Sequence, residues 1–97
     1  MQVKINSVQF RADKKLEDFI GDKLEKLTGF YDQILSSEVF LRIENTNGPD
    51  NKVSEIRLAI PGNELFAKKQ SKTFEEATDQ AIEALKRQIQ KHKDKVK

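Results

Sequence analysis

The sequence predicts an α+β domain in the order β-α-β-β-β-α, a four-stranded sheet with two helices packed on one face. Three patterns predict it. Two long stretches carry apolar residues at spacings of three and four, four short stretches alternate apolar and polar residues, and turn-forming residues separate the later stretches. Helices and sheet are each apolar on one side only, and stacking both helices on one sheet face is the simplest way to bury every apolar stripe. A chain of 97 residues supports one core, burying roughly 60–65% of the surface that its unfolded form would expose. Residues 1–97 are therefore expected to form a single domain.

The first strand opens with Val3 and Ile5 in period two, then slips at Ser7 before Val8 and Phe10, so a bulged or twisted strand is expected. Asp13 is placed to cap a helix with Leu16, Phe19, Ile20, Leu24 and Leu27 on one face, and Gly29 is expected to end it. Val39, Leu41 and Ile43 then alternate with Glu38, Phe40, Arg42 and Glu44, which reads as a strand buried on one side. The stretch Asn45 to Asn51, with Asn47, Gly48 and Pro49, has the chemistry of a turn between antiparallel strands. Its partner strand sets Ile56, Leu58 and Ile60 against Glu55, Arg57 and Ala59. Pro61-Gly62-Asn63 makes a second turn, and Glu64 to Gln70 forms the fourth strand, with Leu65, Ala67 and Phe66 as its apolar residues. Thr73 and Glu76 form a capping box for the last helix, whose apolar positions Phe74, Ala77, Ala81, Ile82, Leu85, Ile89 and Val96 keep helical period to the chain end.

Composition narrows the function. There is no cysteine, which excludes disulfides, thiolate metal sites and cysteine nucleophiles and fits a reducing, cytoplasmic location. The N-terminal MQVKINSVQF lacks the apolar run of a secretory signal, and no stretch approaches the roughly 20 apolar residues of a membrane span. His92 is the single histidine, a poor basis for a metal site; its place on the apolar arc suggests half-buried packing or contact with an RNA edge. No glycine-rich phosphate loop or nucleophile elbow is present. Neither an enzyme nor a bound cofactor or metal is expected.

Charge carries the functional signal. Residues 86–97 hold six basic side chains against one acid, a net +5, while the other 85 residues hold twelve basic and fifteen acidic ones, a net −3. In helical projection Lys86, Lys93 and Lys97 fall on one flank of the apolar arc, Arg87 and Lys91 on the other, with Gln90 and Asp94 between. Cations at one-turn spacing suit a row of phosphates, and Arg87 can offer two donors at once. Favourable interaction with the helix dipole would explain some basic residues at a helix C-terminus, but the charge here is denser than that requires. Lys23 sits within the apolar arc of the first helix and Lys26 at its edge, where each stem can run along apolar surface to bring its ammonium to the rim. Side-by-side helices would turn the basic stripe into a cleft. The start of the last helix is instead acidic, with Glu75, Glu76 and Asp79, which argues against binding of phosphate at that end. Phe40 and Phe66 would suit base stacking if they lie on an open sheet face, though packing within the strands is the simpler role. Phe30 and Tyr31 are expected to close the core.

Several segments together resemble one family. They are Met1 to Phe10, Leu16-Glu17-Asp18-Phe19-Ile20 with Lys23-Leu24-Glu25-Lys26-Leu27, Ile60-Pro61-Gly62-Asn63-Glu64-Leu65, and, most specifically, Leu85-Lys86-Arg87-Gln88-Ile89-Gln90-Lys91-His92-Lys93. Over almost its whole length the chain resembles the short hibernation-promoting factors, also called ribosome-associated inhibitors or sigma-54 modulation proteins. The resemblance implies a factor that binds the small ribosomal subunit near the decoding centre. It would contact 16S ribosomal RNA and block the sites of messenger and transfer RNA in idle cells. It assigns RNA contact to Lys86, Arg87, Lys91 and Lys93, with Lys23 and Lys26 as further candidates. The long form of the family adds a dimerising domain, which is not expected here, so pairing of ribosomes would need a helper factor; whether that occurs stays open. Phe74 stands where many members have tyrosine, and Glu75-Glu76 is acidic.

Two other readings compete. The basic helix could dock an acidic protein such as a transcription factor. It could also lie on a membrane surface, but the small Ala77 and Ala81 are committed to the sheet, so no membrane partner is expected. A monomer is expected in solution, since no exposed apolar stripe is left over.

Overall fold

The computed structural model describes residues 1–44 and 48–95. The expected order is observed: β1 Gln2–Ser7, α1 Lys14–Phe30, β2 Ser36–Ile43, β3 Lys52–Ile60, β4 Asn63–Ser71 and α2 Phe74–Lys95. The sheet runs β1-β2-β3-β4. β1 and β2 are parallel, joined through α1, while β2, β3 and β4 pair antiparallel. This is the mixed sheet that one helical crossover followed by two direct reversals must give.

Register places Val39 opposite Ile56 and Ile56 opposite Ala67, with Leu58 opposite Leu65 in the next row. These residues share one sheet face and form the core with Leu16, Ile20, Leu24 and Leu27 of α1 and Ala81, Ile82, Leu85 and Ile89 of α2. The core has one buried polar bridge, in which the Thr78 hydroxyl lies 3.1 Å from Ser54 Oγ. Ser37 Oγ is buried and has no hydrogen-bond partner.

Local chemistry explains the boundaries and corrects several of them. β1 stops at Ser7 instead of bulging on to Phe10. Gln9 adopts a left-handed backbone, φ 63°, which turns the chain out of the sheet after one last bond from Val8 N–H to the Leu41 carbonyl. Phe10 is thereby freed to stack on Phe74 at the start of α2, ring centres 4.9 Å apart. Asp13 caps α1 as expected, accepting from Leu16 N–H at 2.8 Å. Gly29 does not end that helix. The last turn runs through it to Phe30, and Tyr31 closes the helix in an extended conformation with its N–H on the Leu27 carbonyl. Leu27 and Tyr31 packing, not glycine freedom, sets this end.

Ile43 is 46% exposed, not buried, because it lies at the end of β2 beyond the cover of the helices. Asn45 to Asn47 of the expected turn lie outside the described residues; the strands that it joins pair as foreseen. Gly62 takes φ 74° between β3 and β4, a conformation that costs glycine little. Thr73 Oγ1 accepts from Glu76 N–H, but the Glu76 carboxylate accepts from the Ser71 hydroxyl at 2.8 Å. The expected reciprocal box is thus half a box, with β4 supplying the other partner. Val96 lies outside the described residues.

Candidate nucleic-acid interface

Both helices pack into the same core and contact each other, so their outer surfaces form one side of the molecule. Lys23, Lys26 and Lys86 line a single groove between α1 and α2, of about 340 Å³. These three candidates, 60 residues and more apart in sequence for the α1–α2 pairs, are brought together by the helix pairing. Lys23 is half-buried; its Nζ sits 5.4 Å from the Phe19 ring centre and 3.1 Å from an Asp79 carboxylate oxygen. The cation is thereby carried to the groove edge along apolar surface.

Lys93 extends the same flank. Its Nζ lies over the Phe30 ring at 4.8 Å and reaches the Phe30 carbonyl at 3.4 Å. Arg87 does not join the groove. It faces the β4 side of α2, where it shares a shallow depression with Lys69. Lys91 is exposed on α2, on the Arg87 flank of the helical projection. The candidate residues therefore form two basic rims, one facing α1 and one facing β4.

An acidic crest separates the rims. Asp79 and Glu83 line both depressions, and Glu83 lies 3.6 Å from Lys86 Nζ. Residues 79 and 86 are seven apart, two helical turns, so the sequence did contain this juxtaposition. Lys69 adds a second basic group beside Arg87; their neighbourhood depends on how α2 crosses β4, which local pattern does not encode.

The opposite sheet face is open and carries Phe40, Arg57 and Phe66. The Arg57 guanidinium carbon lies 5.6 Å from the Phe40 ring centre and 5.7 Å from that of Phe66. These cross-strand contacts occupy the two phenylalanines with a cation. Arg42 pairs with Glu55 and, at 2.9 Å, with Glu44 on the same side. Hydrogen bonds donated by Arg42 to Glu44 and Glu55 raise the Arg42 pKa, and the same Arg42 bond holds the Glu44 carboxyl below its ordinary value. Arg42, Glu44 and Glu55 are thus paired with one another on this face.

The free edge of β4 is partly closed by α2. Gln88 donates from Nε2 to the Phe66 carbonyl at 2.7 Å, and its Oε1 accepts from Phe66 N–H at 3.4 Å. One side chain thus pairs both outward backbone groups of an edge residue, which blunts strand-to-strand association there.

Among the described residues no cluster of three or more His, Asp or Glu side chains could hold a metal ion, and no helix is long and apolar enough to cross a membrane.

Fold and charge together define a small two-layer α+β domain with a cationic helix surface. The sequence model of the family described as sigma 54 modulation protein / S30EA ribosomal protein matches residues 3–97, and the chain belongs to this family. It is 32% identical over 95 residues to a protein of Pseudomonas putida named ribosome hibernation promoting factor, covering 98% of this chain and 89% of the relative. It is 30% identical over 97 residues to a protein of the same name from Klebsiella oxytoca, covering 100% and 98%. A ribosomal subunit interface protein from Coxiella burnetii has the same fold, with a TM-score of 0.86 at 18% identity, covering 97% of this chain and 99% of that one.

Proposed function

We propose that this protein is a ribosome hibernation factor that binds the small subunit through 16S ribosomal RNA near the decoding centre. Bound there it would block the messenger and transfer RNA sites and hold translation off in idle cells. It would act in the cytoplasm as a single ribosome-binding domain and by occupancy, without catalysis. Family membership supports the ribosome as partner. The observation that carries the contact surface is the convergence of Lys23, Lys26 and Lys86 in one groove, continued by Lys93.

Physically, a backbone phosphate entering the groove meets cations carried on two helices whose backbones are already fixed, so the ordering cost of binding falls on the lysine side chains. It must displace Asp79 from Lys23 and Glu83 from Lys86. Arg87 and Lys91 contact a second strand or turn of RNA on the other rim. Five or six phosphate contacts give a log-log salt slope on the order of −4 to −5.

The triple charge reversal Lys86→Glu, Arg87→Glu, Lys91→Glu tests this surface. Loss of cosedimentation with the small subunit, with an unchanged circular dichroism spectrum, is expected. A folded triple variant that still cosediments would remove the helix from the contact. Binding that survives nuclease digestion of the RNA would instead favour docking on an acidic protein.

A further inference from the structure

A broad concavity lies beyond the groove, at the end of the helix pair, where the chain leaves α1. It measures about 680 Å³ and is lined by Phe30, Tyr31, Asp32, Gln33, His92 and Lys93. From this notch we infer a site for an unstacked nucleobase, guanine best, presented by RNA lying along the basic flank of α2. The inference rests on the RNA reading proposed above and adds a base-recognition site to its phosphate contacts.

Four observations carry it. The volume lies in the range of small-ligand sites, which pair an aromatic lining with a few polar groups. Tyr31 and His92 meet edge to face, ring centres 6.0 Å apart at 80°, so two aromatic walls stand at nearly a right angle. A flat base can stack on one while its edge meets the other. Lys93 is held at the rim by the Phe30 ring and carbonyl, which places a cation for the phosphate of the inserted nucleotide. Asp32 only accepts hydrogen bonds, and Gln33 both donates and accepts. A carboxylate suits guanine, whose ring N–H and amino group donate side by side, and it repels phosphate, which fixes which end of the nucleotide enters.

Position argues the same way. Lys93 is two turns from Lys86 on the same flank of α2, so a strand tracking the groove reaches the notch directly. Single-stranded RNA is read through such splayed bases, while the phosphates supply the affinity.

The test is titration of the full chain with guanosine monophosphate, uridine monophosphate and ribose phosphate, followed by amide NMR. Guanosine monophosphate should shift the signals of Gly29 to Gln33, His92 and Lys93, uridine monophosphate should act more weakly, and ribose phosphate should move Lys93 alone. His92→Ala should weaken the guanine nucleotide at least about fivefold, the low end of what one stacking contact is worth. Equal shifts with ribose phosphate, or none with millimolar guanosine monophosphate, would overturn the base site; equal shifts with the uridine nucleotide would overturn its assignment to guanine. Shifts present in a chain that never cosediments with ribosomes leave the notch and remove the function proposed above. Cosedimentation without shifts removes the notch alone.

Discussion

Lys23 on α1 and Asp79 on α2 meet across the helix pair, Nζ 3.1 Å from the carboxylate oxygen. The pair is about half exposed, so its own contribution to stability is small, about 0.2–1 kcal/mol. Its consequence is for binding, because Asp79 occupies the place where a phosphate would sit. On the proposed RNA reading, a phosphate would have to displace this internal counter-ion, which would weaken the groove's hold on a polyanion.

Asp79→Asn should therefore tighten binding to ribosomal RNA, by about three- to tenfold at low salt. It should also steepen the log-log salt slope by roughly 0.7–0.9, the value of one more phosphate contact. A filter-binding series against salt measures both. Unchanged affinity with an unchanged slope would place the phosphates elsewhere.

Ser37 sits at 3% exposure with its hydroxyl unpartnered. A buried polar group left without a hydrogen bond is a net cost. Ser37→Ala is expected to raise stability by about 1 kcal/mol in urea unfolding at unchanged slope m. Destabilisation would mean that the hydroxyl is satisfied in solution.

Gln88→Ala removes the side chain that pairs both Phe66 N–H and C=O. A loss of about 1 kcal/mol is expected, the usual worth of an intramolecular hydrogen bond. Faster hydrogen exchange should be confined to Phe66 and its neighbours on β4. Uniform acceleration along the sheet would show a global effect instead.

Glu44 has a folded-state pKa lowered chiefly by its hydrogen bond from Arg42. A depressed carboxylate pKa stabilises the fold above the unfolded value, near 4.5, and that contribution is lost as pH falls through the folded value. The stability gap between the native chain and Glu44→Gln should close in acid and be constant near neutrality. A gap that widens below pH 4.5 would contradict the assignment.

The element order was legible because each element follows a local rule, period two in the strands and spacings of three and four in the helices. The misreadings occurred where a tertiary contact took over from a local signal. Gly29 looked like a helix end, yet packing of Tyr31 extended the helix past it. Phe10 looked like strand, yet its stacking on Phe74 drew it out of the sheet. The candidate site was marked in the sequence only by the density of its cations. Its division into two rims was not, since that depends on which element each flank of α2 faces. Tyr31 and His92 are 61 residues apart, and no sequence pattern announces that they share a notch.

The most direct test is sedimentation of the purified protein with ribosomal subunits through gradients at low and high salt. Comigration with the small subunit at low salt, lost at high salt with a slope on the order of −4 to −5, is the expected result. Absence from the small subunit at low salt, or binding indifferent to salt, would contradict an interface built from the lysines of the two helices.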